Sequence, residues 1–207
     1  DAKPGQHVVV EGVVNGLRLR RPYTLSSPGD HRGRPRITVK REDRGAFSPW
    51  LFDGRRKDEP VRITRPRGGY VIDLSSRPVV CMVAGIGVTP AIPAVRTVIA
   101  NERPLQLCVH YSGKARDQMA FIEELEAARN SRLEVVVRET ALSGRIDAGE
   151  ISEIARRVPD ADWYLCGPEA YLDNDAKLAR TVGVLDSRIH IEAFTSVGAP
   201  VSTAEER

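Results

Sequence analysis

Two rhythms of apolar and polar residues divide the chain. Up to about residue 76, apolar residues come in short runs at 8–10, 17–25, 37–39, 61–63 and 70–74, with Pro-Gly, Asn-Gly, Asp-Gly and Gly-Gly breakers between or beside them. That spacing predicts a small antiparallel barrel or sandwich. Within it only residues 47–52, carrying Ser48-Pro49, predict a short helix. After Pro78 the runs become continuous: residues 79–84 read Val-Val-Cys-Met-Val-Ala, as expected of a strand buried on both faces, and runs at 105–111, 133–137, 163–166 and 189–194 follow. Helical periodicity fills the gaps at 90–100, 118–129, 148–158 and 170–182. Alternating strands and helices predict a doubly wound parallel sheet with ligands at the carboxyl ends of its strands.

Composition sharpens this division. The 207 residues carry a formal net charge of +3, yet residues 1–76 hold 16 basic and 9 acidic side chains, while residues 77–207 hold 15 and 19. The near-neutral total therefore hides a +7 half and a −4 half that meet at the predicted boundary. No stretch reaches the roughly 20 apolar residues of a membrane span, and the start, Asp1-Ala2-Lys3-Pro4-Gly5, has no signal-peptide character. Cys81, Cys108 and Cys166 each sit in or at the end of an apolar run, the pattern of buried, reduced thiols, so a cytoplasmic protein is expected. Neither the cysteines nor the four histidines show metal-ligand spacing. Aromatic residues, at 5%, are too few and too scattered to give the arginine-rich half a base-stacking platform, which argues against nucleic-acid binding.

Five segments carry candidate chemistry. Arg21-Pro22-Tyr23-Thr24 ends a β run, and an arginine, an aromatic and a hydroxyl residue together suit the phosphate, ring and ring nitrogen of a flavin nucleotide. Alternation puts Arg21 and Tyr23 on one face and Thr24 on the other unless a bend intervenes. Gly45-Ala46-Phe47-Ser48 opens the short helix, either as a pyrophosphate site or as a plain cap with Ser48 capping. Gly85-Ile86-Gly87-Val88-Thr89-Pro90 follows the most apolar strand and opens a helix, where backbone amides can receive a dinucleotide, although Pro90 stands where the Rossmann pattern has its third glycine. Cys166-Gly167-Pro168 ends another strand at the same sheet edge, either facing a nicotinamide or as a small buried hydrophobe. Glu192 and Phe194 share one face of the final strand.

In order and on these elements, the segments, together with Pro4-Gly5-Gln6, resemble the ferredoxin reductase family of flavin-dependent NAD(P)H oxidoreductases. The resemblance covers roughly residues 4–196 and is nearest to oxygenase reductase components and flavohaemoglobin reductase domains. It implies a flavin-binding barrel over 1–76 that lacks its first strands, an NAD(P)-binding α/β domain over 77–196, and a tail or linker over 197–207. It also implies that the chain is a module of a longer protein. By resemblance, Arg21, Tyr23 and Thr24 hold the flavin, with the Thr24 hydroxyl near flavin N5. The backbone of Val39 and Arg41 and the turn Gly45, Ala46, Phe47, Ser48 hold the rest of an FAD, with FMN as the alternative. Gly85, Gly87, Val88 and Thr89, then Gly167 and Pro168, take NADH or NADPH, with Cys166 beside the reactive ring. Phe194 covers the flavin and Glu192 lies near the site of transfer, so Thr24, Cys166 and Glu192 are the candidate catalytic residues. Near Ser112, Lys114 and Arg116 suit a 2′-phosphate while Asp117 suits a free 2′-hydroxyl, and the coenzyme stays open.

The implied activity is hydride transfer from NAD(P)H to flavin and then single-electron transfer to a ferredoxin-like 2Fe–2S domain, an oxygenase component or a haem. No Cys-x4-Cys-x2-Cys pattern is present, so the cluster is expected on a partner. Two departures stand out: Arg55-Arg56-Lys57-Asp58-Glu59-Pro60 replaces the usual Gly-Asp turn, and residues 29–36 form an arginine-rich loop. With the barrel's first strands missing, the competing reading is a non-catalytic nucleotide-binding or docking module that has lost flavin.

Overall fold

A computed structural model describes residues 2–27, 34–54, 61–100 and 105–194. The tail at 197–207, the hexapeptide at 55–60 and most of the arginine-rich loop lie outside the described residues.

The first half is built on a three-stranded antiparallel sheet of order β2-β1-β3, from β1 (His7–Val14), β2 (Leu17–Thr24) and β3 (Arg62–Ile63). The β1–β2 hairpin turns through Asn15-Gly16, both at positive φ (50° and 77°), a conformation this pair adopts at low cost. Val8, Val10, Val14, Leu25 and Phe47 form the half's core, with Tyr23 and Trp50 packed on it. Gly12 is required there: a Cβ would come within 2.2 Å of the Trp50 ring. The short helix is α1 (Phe47–Pro49), continued by a wider π turn over Trp50–Gly54.

Two of the expected strands do not form. At 37–39 only Ile37 is bridged, to Leu25, and Thr38 turns its hydroxyl to Ser26 instead. The 70–74 segment forms no ladder because its amides are used elsewhere: the Ile72 N–H donates to the Pro4 carbonyl (2.9 Å) and the Asp73 N–H to Tyr164 Oη (3.0 Å). Ile72 and Leu74 are buried in the core of the second half.

That second half is a five-stranded parallel sheet of order β6-β5-β4-β7-β8. Its strands are β4 (Val79–Ala84), β5 (Leu107–Gly113), β6 (Leu133–Glu139), β7 (Asp162–Gly167) and β8 (Ile189–Ala193). Every residue of β4 is buried, as its unbroken apolar run requires. One face is covered by α2 (Ala91–Ala100) and α3 (Ile122–Ala127), the other by α5 (Ala148–Arg157) and α6 (Glu169–Thr181), while α4 (Thr140–Ser143) is one turn after β6. The helix expected over 118–129 is shortened because a 3₁₀ turn takes Arg116–Gln118 and Phe121 adopts a left-handed conformation (φ 64°) before α3. Among the described residues no helix is long and apolar enough to cross a membrane, and no group of three or more His, Cys, Asp and Glu side chains could hold a metal ion.

Candidate functional site

Successive crossovers move outward from β4 in opposite directions, to β5 and β6 on one side and to β7 and β8 on the other. The strand order therefore reverses between β4 and β7, the switch point at which such sheets open a crevice beyond their carboxyl ends. Both glycine motifs of the second half stand there. After β4 the chain forms a 3₁₀ turn over Gly85–Val88 before α2 begins, with Gly85 at φ 55°. Gly87 lies against the end of β7: a Cβ would sit 2.3 Å from the Cys166 carbonyl oxygen and 2.9 Å from Gly167 Cα. Gly167 is confined in turn, with Ala84 and Tyr171 about its missing Cβ at 3.1 and 3.0 Å. Val88 and Thr89 are buried, and the Thr89 hydroxyl donates to the Ile86 carbonyl (3.0 Å), so this side chain braces the turn. Pro168 is extended and starts α6.

Cys166 and Glu192 are direct neighbours in the β7–β8 register, so their side chains share a face. Cys166 is fully buried, and burial, then the Glu192 carboxylate and Cys81, push its thiol well above the ordinary range. It is a protonated thiol, not a nucleophile. Glu192 is half-buried, burial raises its carboxyl, and among the described residues its Oε2 has no hydrogen-bond partner. Phe194 packs on the same core as Cys166 and is held by its N–H to the Gly167 carbonyl (3.2 Å).

Tyr70, expected only as one residue of a β run, joins this group. It packs edge-on to Tyr164 (centroids 5.8 Å apart, planes at 86°), and its buried hydroxyl has no partner among the described residues. Burial raises its phenol well above the usual range, helped by Cys166, Cys81 and Glu192. Two buried polar atoms without partners, a phenol able to donate and a carboxylate able to accept, are complementary to a primary amide such as that of a nicotinamide.

On the first half, Thr24 pairs with His7 in a ladder that runs unbent to the end of β2, so Tyr23 and Thr24 do face opposite sides. Thr24 is buried, while Tyr23 is half-buried and stacks on Phe47 at 6.3 Å. Burial raises the Tyr23 phenol to about 12. Arg18 and Arg20 pair with Glu11 on the other face, whereas Arg21 has no carboxylate partner among the described residues and donates only to the Arg20 carbonyl (2.8 Å). A guanidinium with no carboxylate partner among the described residues, on the same strand face as an aromatic ring, fits a phosphate-bearing ring nucleotide.

Ser48 does not cap its helix. Ala46 occupies the cap position with no side-chain bond, and the buried Ser48 hydroxyl closes a turn instead, accepting from the Glu42 N–H (3.0 Å). The Phe47 ring belongs to the core. Val39 is half-buried; exposed Arg41 is held by Asp43 (2.9 Å) and Asp53 (2.5 Å).

In the loop after β5, Ser112 is buried opposite Ala84, the Arg116 guanidinium is forked onto Glu126, and the Arg116 backbone N–H donates to Glu139 (3.1 Å). The Arg116 charge is thus paired with Glu126, while Lys114 is exposed.

The model of the oxidoreductase FAD-binding domain family matches residues 1–72. An NADPH oxidoreductase of Mycobacterium tuberculosis is 30% identical over 203 residues, covering 94% of this chain and 52% of that protein. The chain thus spans about half the length of the curated relatives it matches. The flavohaem-like FAD/NAD-binding domain of nitric oxide dioxygenase from Vibrio cholerae superposes with a TM-score of 0.75 at 27% identity, over 94% of this chain and 86% of that one. Phthalate dioxygenase reductase shares the fold, with a TM-score of 0.78 at 23% identity, over 96% and 60%.

Proposed function

We propose that the chain is a ferredoxin reductase-like, flavin-dependent NAD(P)H oxidoreductase, as its match to the oxidoreductase FAD-binding domain family over residues 1–72 and its likeness to an NADPH oxidoreductase support, and that it passes a hydride from NAD(P)H to a bound FAD and then single electrons to an iron–sulfur or haem acceptor. Its domains are read as a flavin-binding unit over 1–76 and a coenzyme-binding unit over 77–196. The observation that carries the reading is the grouping of Cys166, Glu192, Phe194 and Tyr70 at the β4–β7 switch point, with two buried polar atoms unsatisfied.

FAD, when bound, supplies the two-electron acceptor and one-electron donor that no side chain can replace. The protein's part is binding and placement. Arg21 neutralises phosphate charge, Tyr23 lines the ring or its ribityl chain, and the Gly45–Ser48 turn offers backbone amides to the diphosphate. The turn at Gly85, Gly87, Val88 and Thr89 does the same for the coenzyme with its amides. Thr24, on the opposite face of β2 from Arg21 and Tyr23 but at the end of the strand, would meet the flavin across that end, and Glu192 with Tyr70 would take the nicotinamide amide. Cys166, kept neutral, forms an uncharged wall beside the reacting ring, and Phe194 closes the site against water until the coenzyme enters. No general base is needed.

The electron acceptor is read from neighbours described as flavohaem-like or as donors to a 2Fe–2S centre. The first test is FAD reconstitution followed by ferricyanide reduction with NADH and with NADPH. A yellow protein active with either coenzyme supports the proposal; calorimetry showing coenzyme binding without FAD binding favours a docking module instead.

A further inference from the structure

We infer that Arg96 is a positioning residue: it holds the coenzyme-side helix α2 at a fixed offset from the flavin-side segment 24–27, and so sets the geometry of hydride transfer. The inference rests on the function proposed above. Arg96 projects from the middle of α2, which begins just past the glycine turn. Its Nε and Nη2 donate to the two oxygens of Glu124 on α3, at 2.6 and 2.8 Å, and its Nη1 donates across the boundary between the halves to the Ser26 carbonyl at 2.7 Å. The Phe121 ring lies 5.8 Å from the guanidinium carbon. A planar fork gripped by a carboxylate cannot turn freely, so the third donor is aimed at Ser26 and not merely near it.

The receiving end is equally constrained. Ser26 follows Thr24 by two residues and is 2% exposed. Its N–H donates to the Arg36 carbonyl (2.8 Å), its hydroxyl accepts from Thr38 Oγ1 (2.9 Å), and its neighbour Leu25 is bridged to Ile37. Moving Ser26 therefore moves the segment that carries Thr24. The halves are also joined by the Asp73 N–H to Tyr164 Oη bond and by Ile72 and Leu74 in the shared core. Those links hold residues 72–74; Arg96 adds a further one at Ser26, on the segment that carries Thr24. Reacting atoms must meet at about 3–3.5 Å, and a misplacement of about 1 Å costs on the order of 10²-fold in rate.

The test compares the full chain with Arg96→Met, Arg96→Lys and Glu124→Gln. After FAD reconstitution, anaerobic stopped flow at saturating coenzyme should show Arg96→Met and Glu124→Gln reduced about tenfold more slowly. The half-saturating coenzyme concentration should stay within twofold and dithionite should reduce the flavin normally. Arg96→Lys, which keeps the charge and loses the fork, should recover less than half of the lost rate. A second readout uses the chain without flavin: NAD(P)⁺ should slow amide hydrogen exchange at residues 24–27 in the parent and not in Arg96→Met. Reduction rates within twofold of the parent in both Arg96→Met and Glu124→Gln, with only a lower melting temperature, would make Arg96 a simple brace and overturn the inference. So would unchanged exchange coupling in Arg96→Met. A parent that binds no FAD refutes the proposed function instead, and the exchange experiment still decides whether Arg96 couples the halves.

Discussion

Gly87 shows how little freedom the site leaves a single residue. With a Cβ 2.3 Å from the Cys166 carbonyl oxygen, Gly87→Ala must push β4 and β7 apart at the switch point. The expected cost is about 1–3 kcal/mol of stability, with weakened coenzyme binding, read by urea unfolding and by titration with NAD(P)⁺. Thr24→Ala should leave the ladder intact and slow flavin reduction about fivefold, the worth of one hydrogen bond; an unchanged rate would remove the role given to the hydroxyl. That a close turn stands here was legible in the sequence, because a Gly-x-Gly between a buried strand and a helix marks one; its use for a coenzyme is the proposal. Tyr70 was not legible, because nothing in its own segment reports that folding lays it on a sheet whose strands lie farther along the chain. The pairing of the Arg116 guanidinium was hidden for the same reason: its carboxylate partner Glu126 is supplied by a later element.

Among the elements, the continuous apolar strands and the order of helices between them read correctly, since burial on both faces leaves an unmistakable run. The segments 37–39 and 70–74 failed as strands because alternation reports which face is buried, while ladder formation depends on where the amides find acceptors. On β5, His110 is 1% exposed with Nδ1 unpartnered, and burial first, then Arg138, lower it to about 4 against a partial opposing effect of Glu150. Unfolded, this imidazole takes its proton near 6.5; folded, only near 4. The unfolded state thus binds more protons in that window, and stability falls as pH drops from 6.5 toward 4, by roughly 3 kcal/mol. Buried Asp175, whose carboxyl is raised, contributes with the opposite sign at the acid end. His110→Leu should flatten the slope in denaturant midpoints measured between pH 7 and 5. At α5, Asp147 and Glu150 form a reciprocal capping box, and Asp147→Ala should cost about 1 kcal/mol.

For the whole molecule, charge and chemistry divide along one line. The +7 half bears the proposed flavin diphosphate site and the −4 half bears the glycine turns, so in the proposed site the coenzyme's anionic groups would be met by backbone amides and not by net charge. The proposed site needs both halves, because Tyr70 comes from one and Cys166, Glu192 and Phe194 from the other. The most direct test of the account is anaerobic mixing of the FAD-reconstituted chain with NADH or NADPH while flavin absorbance is followed. The account predicts bleaching with at least one coenzyme, faster in the parent than in Thr24→Ala or Arg96→Met. A protein that binds FAD and coenzyme together yet keeps its flavin oxidised would contradict it.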